Sequence, residues 1–281
     1  MIYQNNVEHL KYVDGIIMPL VGYSVSYTNK YTLDEIREFV LSNKEKEVFV
    51  VINKNLFNDD ISSLEDVLFE LDRIGITGLF YYDLSVLSIY RKNKFSFNLI
   101  WNQTHMVTNY NTINYYLKQG ASGAVLANEI TLDEIIGIRK NTKAKLFVNV
   151  VFCPIMSFSR RKLLSNYCKS TNIDIKENKL EIKEHSNGYK CIVLEEDDGT
   201  SIFSEKIVNN LEVIDTYLEN NFDYIIIDTS FLENEAKEKC IYTVYSILNN
   251  LDEKEQLIRD MKDKIGGNTG FLYRKTIYKV K

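Results

Sequence analysis

Lys145-Leu-Phe-Val-Asn-Val-Val-Phe152 runs directly into Cys153-Pro-Ile-Met-Ser-Phe-Ser-Arg-Arg-Lys-Leu-Leu-Ser-Asn-Tyr-Cys168. The first eight residues are apolar apart from the opening Lys145 and a single Asn149. A run of that length without polar alternation reads as a strand buried on both faces, as in a parallel sheet. Pro154 lacks an amide hydrogen and ends the ladder. Ser157 and Ser159 read as caps for a helix that begins near Phe158. The first turn of that helix would carry Arg160, Arg161 and Lys162. Backbone donors and cations at a helix start suit a bound anion. The plainer alternative is a basic, solvated turn.

Seven more strands fall on either side. Ile2-Tyr3, Gly15 to Val21, Glu47 to Asn53, Gly78 to Asp83, Phe97 to Asn102, Gly123 to Glu129 and Asp223 to Asp228 are short apolar runs. Pro19 suggests a bulge or an early end to the second of these. Amphipathic stretches separate them. One runs through Val7, Leu10 and Val13. Another begins at Thr32, with Glu35 three residues on as a capping box. A third has Leu64, Val67, Leu68 and Leu71 on one face and closes at Gly75. A fourth runs from Thr108 to Lys118, and a fifth starts with the box Thr131 to Glu134. Asn209 to Glu219 and Glu235 to Leu248 complete the set. Eight buried strands alternating with helices predict an α/β fold, a TIM-like (β/α)8 barrel.

One crossover is too long for a simple strand–helix unit. Residues 170–206 contain alternating segments around Asn187-Gly188, the pattern of a β-hairpin. The expected organisation is therefore one barrel domain over 1–281, with a hairpin insertion at 170–206 after the seventh strand. The charged tail at 252–281 ends with Leu272, Thr276, Ile277 and Val280 in a pattern that predicts a docked, extended segment.

The chain has 281 residues, a formal net charge of -5 and 45% hydrophobic residues. That acidity argues against a chain-wide electrostatic grip on nucleic acid, though not against a local basic patch. No run approaches the roughly 18 apolar residues of a membrane span. The N-terminal residues lack the pattern of a signal peptide, which predicts a cytoplasmic protein. Cys153, Cys168, Cys191 and Cys240 include no CxxC pair, so zinc and redox motifs are not indicated. No His/Asp/Glu group has metal-ligand spacing.

In a barrel of this kind the site lies at the C-terminal ends of the strands. Those ends offer Asn53, Asp83, Asn102, Gln103, Glu129, Phe152 and Asp228, with His105 close by. Each Asp or Asn there also suits a helix cap; together they predict a polar pocket. His105, Glu129 and Asp228 are the candidates for acid–base catalysis. Asn53, Asp83, Gln103, Ser159, Arg161 and Asn166 are the candidates for substrate binding. His9 and His185 read as surface residues.

Phe158-Ser-Arg-Arg-Lys-Leu-Leu-Ser-Asn-Tyr167 resembles the signature HGxxCxxYSGRCxLSNY of the peptidase U32 family, the collagenase-like proteases. Leu99 to Asn109 is similar to that family's LHxSTQMxVTN segment, and Val125 to Ile135 to its VLARELSLxEI. Asp198 to Ser204 resembles GTYIFNS, and Asp223 to Ser230 falls on DSLKIEGR. The resemblance covers nearly the whole chain. It departs where the family carries chemistry. The signature cysteines fall on Ile155 and Lys162, the His-Gly on Val151-Phe152, and the ARE arginine on Asn128.

The resemblance implies either the peptidase activity of the family label or the oxygen-independent hydroxylation of RNA or quinone substrates by characterised relatives; a non-catalytic scaffold is the third reading. The tRNA branch draws on prephenate as co-substrate. Some bacteria pair a short member with a longer, cluster-bearing one. A short chain without the ligands resembles that short partner: an accessory subunit for tRNA uridine 5-hydroxylation, acting with a longer U32 protein, reaching tRNA through the complex, and touching no membrane. No cofactor is expected in this chain, because Ile and Lys cannot ligate an iron–sulfur cluster. Protein purified without air is expected to be colourless in an iron and labile-sulfide assay; about four irons per chain would contradict the reading of Ile155 and Lys162.

Overall fold

The computed structural model describes residues 1–4, 10–103, 105–173, 178–183 and 188–274. Eight parallel strands form a closed barrel: β1 (Ile2–Gln4), β2 (Gly15–Pro19), β3 (Glu47–Ile52), β4 (Gly78–Tyr81), β5 (Asn98–Trp101), β6 (Gly123–Val125), β7 (Lys145–Phe152) and β13 (Tyr224–Asp228). Strands β1 to β7 pair in succession, and β13 bridges β7 and β1 to complete the ring. The expected TIM-like barrel is present.

Strand residues alternate between two environments, as a period of two requires. Ile17, Phe49, Val51, Phe80, Ile100, Val125, Phe147 and Ile226 point into the barrel and form one buried cluster. Their neighbours, among them Ile16, Met18, Val48, Val50, Leu79, Tyr81, Leu99, Trp101 and Leu146, join the larger core beneath the helices. The helices are α1 (Leu33–Ser42), α2 (Ile61–Ile74), α3 (Leu84–Asn93), α4 (Tyr110–Lys118), α5 (Leu132–Lys140), α7 (Ile214–Glu219) and α8 (Asn234–Leu248). Both capping boxes form: Thr32 with Glu35, and Thr131 with Glu134. Gly75 ends α2 with φ +81°, a left-handed conformation that costs glycine nothing.

The antiparallel flap is larger than a hairpin. Strands β8 (Ile155–Ser159), β9 (Lys179–Lys183), β10 (Lys190–Glu196) and β11 (Gly199–Ser204) make one sheet in the order β8-β11-β10-β9. The helix expected from Phe158 is therefore a strand there. Ile-Met-Ser-Phe-Ser pairs with β11, and helix α6 (Leu163–Thr171) starts only after it. One face of the flap meets the barrel through Cys153, Leu194, Phe203 and Phe231. Helix α6 is joined to the other face by hydrogen bonds. Lys30 clasps the β10–β11 turn by ion pairs to Glu196 at 2.8 Å and Asp198 at 3.1 Å. Gly199 lies so close to Ser159 that an added Cβ would stand 2.1 Å from the Ser159 carbonyl oxygen.

Three further boundaries differ from expectation. Asn209 belongs to β12 (Val208–Asn209), which pairs antiparallel with the end of β7, ahead of a 3-10 turn and α7. Residues Leu10–Tyr12 form a 3-10 turn, and Val7 lies outside the described residues. The tail holds a helix, α9 (Lys254–Ile265), which buries Ile258 and Met261 and packs Ile265 beside them. Ion pairs Lys239–Asp260 and Lys264–Glu235 join it to α8. Leu272 is buried, and its carbonyl accepts from the Leu132 amide. His9, His185, Asn187, Thr276, Ile277 and Val280 lie outside the described residues.

Phe147 stacks on Tyr224 at 4.3 Å and meets Phe80 and Phe49 edge-on at 5.1 and 5.5 Å inside the barrel. Phe147→Ala is expected to lower the unfolding free energy by about 3–5 kcal/mol in urea titration, through lost burial and the cavity left behind.

Candidate functional site

A cavity of about 120 Å³ opens at the C-terminal end of the barrel. Its floor is Ile17, Phe80, Val125 and Ile226. Gln4, Asn53, Asn102, Asn128, Asn149 and Asp228 stand around it, with Ser26, Tyr27, Phe152, Cys153 and Ile155. Among the described residues Asp228 is the one charged group in this lining; the other polar groups are carboxamides, hydroxyls and a thiol.

Local structure sets each group. The loop after β2 is folded back by Ser24, whose hydroxyl donates to the Val51 carbonyl and accepts from the Leu20 amide. Asn53 grips the same loop, accepting from the Val25 amide at 2.8 Å and donating to its carbonyl at 3.1 Å. This brings Ser26 and Tyr27 over the mouth. Ser26 holds a left-handed φ of 65° and bonds to Ser201 of the flap at 2.9 Å. A non-glycine residue in that region is a strained element, of the kind that gathers at functional sites. A bulge in β7 lets Val150 and Val151 both pack outward, while Asn149 and Phe152 face the cavity. Asn149 donates to Asn128 at 3.0 Å. Gln4 and Asn102 have no side-chain hydrogen bond among the described residues.

Burial raises the Asp228 carboxyl to about 6 from its ordinary 3.8, despite donation from the Ser230 hydroxyl and amide. Burial, and then the nearby Asp228 charge, push the Tyr27 hydroxyl upward, so it stays an O–H donor. Burial also pushes the Cys153 thiol up to about 12; Asp228 adds to this and Lys179 opposes it. That thiol donates to the Ser204 carbonyl at 2.9 Å. The cavity therefore offers a carboxyl that changes charge near neutrality and a set of neutral donors and acceptors.

The family model for peptidase family U32 matches residues 13–276. The chain belongs to peptidase family U32. This U32 member is 26% identical to tRNA hydroxylation protein P2 of Bacillus subtilis (strain 168), over 92% of the chain and 91% of that protein. It is 20% identical to tRNA hydroxylation protein P1 of the same organism, over 80% of the chain and only 53% of P1. Among solved structures, oxaloacetate acetylhydrolase superposes with a TM-score of 0.46 at 9% identity, over 94% of the chain and 92% of that structure.

The donors do not suit an iron–sulfur cluster. Ile155 and Lys162 stand where the family signature has cysteines, and Lys162 is ion-paired to Asp197 at 3.1 Å. Cys153 is engaged with Ser204, Cys168 lies on α6, Cys191 on β10 and buried Cys240 on α8. Among the described residues no group of three or more His, Cys, Asp or Glu side chains could hold a metal ion. No helix among them is long and apolar enough to cross a membrane.

The structure gathers Asn53, Asn102, Phe152 and Asp228 at the mouth and disperses the other candidates. His105 and Glu129 are exposed beside the mouth, Nδ1 to Oε1 at 3.2 Å. Asp83 caps α3 by accepting from the Ser85 amide. Gln103 donates to the Tyr82 carbonyl at 2.8 Å. Ser159 lies on β8 and accepts from the Arg161 amide. Arg161 and Asn166 are exposed, on the flap turn and on α6. The start of α6 is already occupied by a protein carboxylate. Glu195 accepts from the Leu164 amide at 2.7 Å and from the amide and hydroxyl of Ser165. Burial opposes its charge, but the Ser165, Leu164 and Thr200 hydrogen bonds together hold its carboxyl below the usual range. Sequence reading passed over Gln4, Ser26, Tyr27 and Asn149 as site residues. Only Asn149 carried a signal, as the lone amide in an apolar strand.

The raised Asp228 carboxyl has a testable consequence. Between about pH 4 and 6 the folded state keeps a proton that the unfolded chain releases, so stability falls as pH rises through that window. Asp228→Asn removes this loss. The variant is expected to gain on the order of 1–3 kcal/mol relative to wild type between about pH 4 and 7, measured by urea unfolding. A constant difference across that range would contradict the burial argument.

Proposed function

We propose that this chain is a short subunit in oxygen-independent tRNA uridine 5-hydroxylation, acting with a longer, cluster-bearing U32 protein. The observation that carries this reading is the match to tRNA hydroxylation protein P2 over 92% of the chain and 91% of that relative. The relation to P1, of which the chain spans about half, supports the pairing of a short member with a longer one.

The mouth is compatible with a base as the group that enters. An apolar cavity of about 150 Å³ holds a benzene ring, so an open-topped 120 Å³ pocket suits one planar six-membered ring. Gln4 and Asn102 would read the edges of a neutral heterocycle, since each carboxamide both donates and accepts. Asp228 would exchange a proton with the ring, its carboxyl lying close enough to neutrality for either direction. Prephenate is a dianion and finds no cation in that lining among the described residues. In this reading it binds outside the cavity, with the exposed Arg161 and Ser159 of the flap as candidate ligands, because a guanidinium grips a carboxylate with two parallel hydrogen bonds. His105 and Glu129 would act at the rim.

Peptidase activity ranks second. A thiol peptidase needs a thiolate, whereas Cys153 is buried, raised to about 12 and committed to a backbone carbonyl.

Deleting the gene and measuring 5-hydroxyuridine derivatives in bulk tRNA by mass spectrometry tests the reading. Levels should fall and return with the wild-type gene, and Asp228→Ala should restore them only in small part. Unchanged levels after deletion would overturn the function proposed.

A further inference from the structure

Beside the mouth lies a second cleft of about 450 Å³, within the usual range of ligand sites, about 300–1,000 Å³. It shares Asn128, Phe152 and Ile155 with the mouth, so the two spaces adjoin. Its walls come from four parts of the chain: Met156, Tyr189 and Ser204 of the flap, Lys206 and Val208 before and within β12, the His105–Glu129 rim, and the segment from Asn268 to Arg274.

That last segment is built into place. The Asn268 carbonyl accepts from the Asn209 amide, its side chain donates to the Ile207 carbonyl, and it accepts from the Gly270 amide. Gly270 turns with φ +60° against Val208, and Leu272 is pinned to Leu132. These contacts deliver Phe271 and Arg274 to the cleft. The Arg274 guanidinium stands 5.1 Å from the Phe271 ring centroid. Neither Lys206 nor Arg274 makes an ion pair among the described residues.

We propose that this cleft binds the single-stranded RNA segment next to the base that enters the mouth, with Lys206 and Arg274 on its phosphates and Phe271 and Tyr189 against a flanking base. The proposal rests on the RNA reading of the mouth. The division of labour follows from charge. Among the described residues the mouth has no cation and suits a neutral ring, while the adjoining cleft supplies two cations and aromatic faces, the pairing that holds single strands without reading sequence. A net charge of -5 would repel RNA elsewhere on the surface, so a contact confined to one cleft is what such a chain needs.

The purified full chain is titrated with a short fluorescent oligouridylate by anisotropy over a series of salt concentrations. The double variant Lys206→Ala/Arg274→Ala is compared with wild type and with Lys118→Ala/Lys140→Ala, which removes equal charge at the opposite end of the barrel. Each single-strand phosphate contact contributes about 0.7 to the slope of log K against log salt. The cleft variant should therefore lose about 1.4 from that slope and bind about 10-fold more weakly at low salt, with an unchanged melting temperature. Wild type that fails to bind, equal weakening by the control pair, or equal competition by an oligoglutamate would each overturn the cleft assignment. Gene deletion reports on the hydroxylation reading separately. A chain that binds RNA through this cleft while its deletion leaves tRNA unchanged would retain the cleft and lose that function.

Discussion

The packing of Phe49, Phe80, Phe147 and Tyr224 inside the barrel is the contact on which the rest of the structure depends. These rings come from β3, β4, β7 and β13, so they tie together both sides of the closing seam. They also fill the interior. A parallel ring of eight strands is stable only when side chains occupy its centre. Because the aromatic layer ends at Phe80, the space above it is shallow. The mouth is therefore a small cup with an apolar floor, and polar groups stand only on its rim.

The flap is organised by a different force. Its helix α6 buries no residue and gains little from the hydrophobic effect. Its exposed amides instead find Glu195, a carboxylate from the sheet beneath. A negative charge at a helix N-terminus is favourable through both the hydrogen bonds and the helix dipole. The same interaction means that an external anion would have to displace an internal one. Arg160 is drawn aside, its guanidinium 4.2 Å from the Phe57 ring centroid. The basic turn is thus spread across the flap and does not converge on a single point.

Electrostatics divide the upper surface into two regions. The mouth keeps one carboxyl among neutral groups, and burial makes that carboxyl reluctant to ionise. The cations lie outside, on the flap turn and in the adjoining cleft. A ligand that satisfied both regions would carry a neutral ring and a separate negative charge. A nucleotide within a strand has that form. The strained Ser26 and its bond to Ser201 join the two regions mechanically, since one belongs to the barrel loop and the other to the flap.

The strand–helix alternation was legible in the sequence because each barrel strand is buried on both faces and each early helix carries its own caps. Lys145 to Phe152, Thr32 with Glu35, Thr131 with Glu134, and Gly75 are local signals, and local physics suffices to read them. Asp228 and Asn53 were legible for a related reason: in a parallel barrel, residues at strand ends share one mouth. The rest required three dimensions. Ile155–Ser159 is a strand because β11 lies beside it, and nothing in those five residues names that partner. The chain from Lys254 packs Ile258 and Met261 into the core, and ion pairs from Lys239 and Glu235 of α8 border that contact. Gln4, Tyr27 and Asn149 face one cavity because the barrel closes and a bulge re-aims β7. Sequence alone determined the repeating strand–helix unit, whose pattern each segment contains. Tertiary structure decided which groups complete the site around those strand ends, because they lie far apart along the chain and meet only when eight strands close into a ring.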